Sequence, residues 1–266
     1  MTRSELSDIK EQFQDYVAGF AAADAPLHPM LRLKAEHSEH VAAEARGLGS
    51  DLGWSACEQN AAEALGLLHD IGRFSQFSEF DTFSDPDSVD HGERGWEVIR
   101  RLAWLAPLPP AERDALLDGI RYHNRRRIPD DVPRRNLGFL RLVRDADKLD
   151  IFRVVLDAVD RDGLRSLLAT LPDVALDHSP SPEIVDDVSR RESPSLKKVR
   201  NLGDFLLMQL SLVYDLNYAP AYRRLHDRGL LPRIFRQLDG NPSVHALDKQ
   251  IGRYVRSRMD GRRRRT

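Results

Sequence analysis

Cysteine is almost absent: Cys57 is the only one in 266 residues. No intrachain disulfide can form and no thiolate cluster can hold a metal, so any metal here must rest on nitrogen and oxygen donors. Long apolar runs are missing too. No stretch approaches the ~18 uncharged apolar residues of a membrane-spanning helix, and the opening MTRSELSDIK lacks the apolar segment of a secretory signal. The expected location is therefore cytoplasmic. Strict apolar–polar alternation and Val/Ile/Thr-rich hairpins are scarce, which argues against a sheet. Neither sign of charge dominates: 40 Lys and Arg against 42 Asp and Glu leave a net −2. That balance excludes a wholesale polyanion binder and an acidic disordered tail protein. Lysine supplies only six of the 40 cations. Arginine's planar fork suits phosphate, but a compositional bias explains the excess more simply, except where an Arg adjoins a motif.

What remains is helical periodicity. Apolar residues recur at spacings of three and four, predicting helices near 4–20, 29–48, 56–71, 90–105, 110–123, 137–160, 162–170, 197–217, 219–226, 228–238 and 243–259. Ser55-Ala56-Cys57-Glu58 is a capping box that starts the third. The expected fold is all-α. Its organisation is read as a catalytic core over 1–175 and a helical extension over 176–266, packed on the core or continuous with it. Two segments read as irregular: 72–89, with Phe74, Phe77, Phe80 and Phe83, and 178–196, rich in Ser, Pro and charge. The Arg262–Arg265 run reads as a solvated basic end.

Histidines and aspartates carry the chemistry. At about 100° per residue, with His37 as zero, Met30 falls at about +20°, Val41 at about +40° and Leu33 at about −40°. His37 is thus expected inside an apolar stripe, and His40, at about −60°, on its edge. In the helix near 137–160, with Leu140 as zero, Asp147 falls at about −20°, Asp145 at about 140° and Asp150 at about −80°. Asp147 is therefore expected to be the buried carboxylate, with Asp145 and Asp150 off the stripe and outside any primary ligand set. His123 extends the stripe Leu116–Ile120, His91 begins the stripe His91–Gly95–Val98–Leu102, and His69-Asp70 closes the run Leu65, Leu67, Leu68. A lone inward histidine reads first as a satisfied core residue. Together, in a chain without thiolate ligands, these residues argue for an N/O metal site.

The ordered set KAEHSEHV (His37), LLHDIGRF (His69-Asp70), VDHGERG (His91), YHN (His123) and DADKLD (Asp147) resembles the HD-domain metal-dependent phosphohydrolase superfamily. The resemblance covers roughly residues 30–155. It implies one divalent cation on His37, His69, Asp70 and Asp147. A second would rest on Asp70, His91 and His123, with Asp70 bridging; otherwise those histidines would contact substrate phosphate. The Gly-Tyr-Pro triplet of the cyclic-di-GMP phosphodiesterase branch is missing, so the resemblance assigns chemistry better than substrate.

The implied cofactor is one or two divalent ions, Mn²⁺, Mg²⁺, Co²⁺ or Fe²⁺. The implied reaction is hydrolysis of a small phosphorylated metabolite or nucleotide by metal-activated water. Asp70, Lys34 and Arg73 are the expected catalytic groups, with Lys34, Arg73, Arg94 and Lys148 as candidate phosphate contacts. Lys34 and Arg73 are preferred because both adjoin the ligands. The 74–83 segment is expected either to wall the pocket as a lid or to pack on the core. The partner is a small phosphorylated substrate, with neither membrane nor nucleic acid expected and a homodimer allowed. The alternatives are a mixed-valent di-iron HD-domain oxygenase and a non-catalytic metal-containing signalling module. If the register of the 29–48 helix is right, His37→Ala should cost far more bound metal and activity than His40→Ala. Elemental analysis and turnover of the two purified variants check this; equal losses would indicate a shifted helix.

Overall fold

The computed structural model describes residues 1–22, 25–162, 164, 174–238, 240 and 242–260. Among these the chain is helical, and its only β interaction is an isolated parallel bridge between Ala175 and Asn201. The all-α reading holds. No described helix is long and apolar enough to cross a membrane. Packing divides the chain into two compact units, Met1–Asp150 and Ile151–Thr266.

The first unit is built around one buried helix. α1 (Arg3–Ala18) opens on a Thr2/Glu5 capping box and buries Leu6, Ile9, Phe13 and Val17, a stripe at helical spacing. α2 (Pro29–Asp51) begins at a proline, and the His28 ring accepts from the Met30 N–H. α3 (Ala56–Leu68) starts at the expected Ser55/Glu58 box and is buried without a break from Asn60 to Leu68. α2 crosses α3 backbone to backbone at Gly66, where a Cβ would fall 2.7 Å from the Cα of Ala42.

The segment 72–89 is not wholly irregular. α4 (Gly72–Phe80) fills its first half, and Asp81 caps it in the left-handed region at φ 53°. The three-residue spacing of Phe74, Phe77 and Phe80 is itself a helical signal, masked by intervening Ser, Gln and Glu. Phe74 is fully buried and meets the rings of Phe13 and Tyr16 edge-on, so it belongs to the core. α5 (His91–Leu102) is capped by Asp90, whose side chain accepts from the Glu93 N–H. α6 (Pro110–Tyr122) buries Leu116, Gly119 and Ile120. α7 (Leu137–Asp162) runs through the end of this unit and into the next.

The second unit contains α8 (Pro182–Ser189), α9 (Leu202–Ser211), α10 (Ala219–Asp227), α11 (Leu230–Phe235) and α12 (Pro242–Met259). α8 corrects the reading of 178–196 as irregular. The Ser-Pro pair before it starts a helix, with Pro182 at its first position and Ile184, Asp187 and Val188 turned inward. The helix expected near 162–170 lies almost wholly outside the described residues, and Arg262–Arg265 entirely so.

One glycine joins fold and site. A Cβ on Gly72 would lie 2.2 Å from the carbonyl oxygen of His91 and 2.6 Å from the nitrogen of Gly95, so α4 and α5 touch through their backbones there. Gly72→Ala should cost about 1–3 kcal/mol of stability, because the contact is with backbone that cannot step aside. Gly138→Ala, whose Cβ would meet its nearest atom at 3.8 Å inside a helix, should be neutral or stabilising. Denaturant melts of the two variants check this; similar stability for both would contradict the close approach.

Candidate metal centre

Helix ends set the first two histidines. α3 stops at Leu68 and His69 caps it, its ring Nδ1 donating to the Gly66 carbonyl at 2.7 Å. His123 caps α6 in the same way, Nδ1 donating to the Ile120 carbonyl at 2.8 Å. Buried Arg144 of α7 fastens that terminus, its Nη1 donating to the carbonyls of His123 at 2.8 Å and Arg125 at 2.5 Å. The other two rings are held by carboxylates. His37 Nδ1 donates to Asp150 Oδ2 at 2.7 Å, and His91 Nδ1 to Asp85 Oδ2 at 2.6 Å. With every Nδ1 engaged, all four Nε2 atoms turn inward, the arrangement that presents imidazole nitrogen to a cation.

Asp70 is the centre of this convergence. Its Oδ2 lies 3.7 Å from His37 Nε2 and 3.8 Å from His69 Nε2, while its Oδ1 lies 3.3 Å from His91 Nε2 and 3.5 Å from His123 Nε2. Each oxygen thus faces its own imidazole pair. Asp147 Oδ1 lies 3.2 Å from His37 Nε2 and 3.7 Å from His69 Nε2. Two donors about 2.1 Å from one ion at tetrahedral angles stand ~3.4 Å apart, so the spacing fits a divalent cation. His69 Nε2 supplies a further test: it is buried with no hydrogen-bond partner among the described residues. A buried lone pair without a donor is costly, and a cation would satisfy it. The groups His37, His69, Asp70 and Asp70, His91, His123 each gather their ligand atoms within 4.8 Å.

Charges follow from this packing. Burial opposes ionisation of Asp70, but Lys34, His69, His123 and Arg73 outweigh it and hold the carboxyl well below the usual range. Asp147 is held down likewise, burial being overcome by His37 and His69. Burial also opposes charge on His37, yet Asp147 and Asp150 raise it to about 9. His91 is pushed down to about 4 by burial and by Arg73. Burial lowers His123 as well.

The structure gathers His37, His69, Asp70, His91, His123 and Asp147 and corrects three details. His37 stands on the edge of α2's buried face, whose members Leu31, Ser38, Val41, Ala42, Ala45 and Leu48 centre about 80° away. Leu33, expected in the stripe, is 40% exposed, and His40 is exposed. Asp147 is partly exposed while Asp145 and Asp150 are buried, the reverse of the expected order. The reason is that α7 is packed on every side there, Leu140, Leu142, Val143, Ala146 and Leu149 all being fully buried. No single stripe singles out one carboxylate, and Asp147 keeps 18% side-chain exposure.

Of the expected phosphate contacts, Lys34 Nζ lies 2.9 Å from Asp70 Oδ2 and Arg73 Nε 3.6 Å from Asp70 Oδ1, with the Phe83 ring beside both cations. Arg94 pairs instead with Glu79 at 2.9 Å on the exposed side of the helices. Lys148 is buried and donates to the Arg144 carbonyl at 3.2 Å. Sequence reasoning missed Asp150 and Asp85, which hold His37 and His91 from behind, and Gln76 and Asn124, which hold Asp85. Asp150 alone had a signal, lying one helical turn after Asp147.

A proton therefore occupies His37 near neutral pH, donated from Nε2 toward Asp147. Its value of about 9 lies above neutrality, so Mn²⁺ uptake at pH 7 should release about one proton, falling towards zero as pH passes 9. Calorimetric titrations in buffers of different ionisation enthalpy measure this release. Binding with none at pH 7 would exclude His37 Nε2 as a ligand.

Two comparisons, with curated proteins and with solved structures, gave no match. The HD domain family model matches residues 35–161, a little under half of the chain and the stretch that contains all six converging side chains. Over those residues this chain is similar to the HD-domain family.

Proposed function

We propose that this protein is a metal-dependent phosphohydrolase, a phosphomonoesterase or phosphodiesterase acting on a small phosphorylated metabolite or nucleotide. The observation that carries this reading is Asp70, each of whose oxygens faces a pair of inward Nε2 atoms beside two cations. His37, His69, Asp70 and Asp147 would hold one divalent ion, and Asp70, His91 and His123 a second. When bound, such ions polarise the phosphoryl group and lower the pKa of water.

The chain's own groups do the rest. Asp70 and Asp147 stay ionised and offset cationic charge, while His91 and His123, kept neutral by burial, add ligand nitrogen without adding charge. Lys34 and Arg73 reach Asp70 from the side of Phe83; Lys34 would take a phosphoryl oxygen, and Arg73, whose Nη1 is engaged by Asp85 and the Phe83 carbonyl, would add positive charge beside it. This pair favours an anionic substrate such as a phosphate ester.

Metal analysis of the purified protein, followed by a panel of phosphate mono- and diesters with Mn²⁺, Mg²⁺, Co²⁺ and Fe²⁺, tests this reading. Turnover should depend on added metal and vanish in Asp70→Asn. Lys34→Ala should lower kcat/KM about 10–100-fold, the worth of one charge-assisted hydrogen bond. Iron-dependent O₂ consumption with no ester turned over would instead support the oxygenase. Bound metal with neither activity would leave a signalling module.

A further inference from the structure

The site has two supports of different build. Asp150, behind His37, stands inside α7 with its side chain 1% exposed. Asp85, behind His91, stands at 27% exposure on a single 3-10 turn, Asp85–Asp87, in the segment 81–89 that joins α4 to α5. Side-chain bonds hold that segment in register. Arg73 Nη1 donates to Asp85 Oδ1 at 2.8 Å and to the Phe83 carbonyl at 2.6 Å. Gln76, fully buried, donates from Nε2 to Asp85 Oδ1, Ser88 Oγ and the Val89 carbonyl, each at 2.9 Å. Asn124 Nδ2 lies 3.0 Å from Asp90 Oδ1 and 3.4 Å from Asp85 Oδ2.

Asp85 therefore does two things at once. Through Oδ2 it keeps the proton of His91 on Nδ1, so that Nε2 faces Asp70 Oδ1 and stands 3.1 Å from His123 Nε2. Through Oδ1 it accepts from Arg73 Nη1, while Arg73 Nε, buried and without a hydrogen-bond partner among the described residues, is turned to Asp70 Oδ1. One carboxylate thus orients a ligand of one half of the site and the cation beside it.

We propose that Asp85 is a positioning residue that sets the cation affinity of the Asp70–His91–His123 half independently of the His37–His69–Asp147 half. The inference rests on the metal-centre reading. The half supported from 81–89 is the weaker of the two, and its loading follows the order of that segment.

The test uses chelator-stripped full-length protein titrated with Mn²⁺, followed by calorimetry and by electron paramagnetic resonance. Wild type should bind two ions and give the spectrum of a coupled pair, as expected for ions about 3.5–4 Å apart. Asp85→Ala should keep the tighter site unchanged, weaken the other about 10–100-fold and lose the coupled spectrum. Asp85→Asn, which keeps an oxygen towards His91 but not the charge, should fall between them, and it decides the matter if Asp85→Ala does not fold. Asp150→Asn should weaken the opposite site. Both sites unchanged in Asp85→Ala, or both weakened alike as a merely structural role would give, overturns the proposal. So does a wild type that binds one ion whose affinity His91→Ala leaves intact, and ester hydrolysis in that case would still stand. A wild type that binds no ion at all overturns this proposal and the hydrolase reading together.

Discussion

Everything in the N-terminal unit is arranged around a carboxylate that ought not to be where it is. Asp70 is 3% exposed, and an ionised carboxylate without compensation in such a place is expensive enough that it would normally take up a proton. It stays charged because Lys34, His69, His123 and Arg73 outweigh the cost of burial. Those groups in turn require the close approaches at Gly66 and Gly72, which let α2 and α5 come to within backbone distance of the turn that carries Asp70. The tight helix packing and the clustered charge are therefore one constraint seen from two sides.

The histidines differ in how their orientation is achieved. His69 and His123 repeat one device: a capping histidine bonded back to the carbonyl three residues earlier. Their rings are aimed by the helix they terminate. His37 and His91 sit within helices and need carboxylates from elsewhere, Asp150 and Asp85. Lys34 and Arg73 share the Phe83 ring, so the Phe-rich segment serves the core through Phe74 and the site through Phe83.

Much of this was legible in the sequence, and the failures have physical causes. The helical spacing and the Ser55 capping box located α1 to α3 and α5 to α7, because those features are local. The ordered His and Asp residues were readable because each falls on, beside or just after an apolar stripe. α4 and α8 were hidden by composition: Ser, Pro and Asp suggest loops, and only burial of Phe74, Ile184 and Val188 reveals the helix. A helical wheel misjudged Asp147 because it assumes one buried face, whereas α7 around Leu140–Asp150 is buried on nearly all sides. Asp85 was beyond sequence reasoning, since its importance lies in reaching across a turn to His91 and Arg73, and no periodicity records that.

The bond between His37 and Asp150 joins residues 113 apart in sequence. Closing a loop of that size costs about 3 kcal/mol more chain entropy than the three-residue closure that orients His69. During synthesis, the turn at His69 can form as soon as α3 emerges, but His37 has nothing to hold its ring until α7 has left the ribosome. A cation shared by His37 and Asp147 would clip this same long loop and so discriminate against every unfolded or half-made form of the chain. Such a clip would close only once the N-terminal unit has been completed through its last helix.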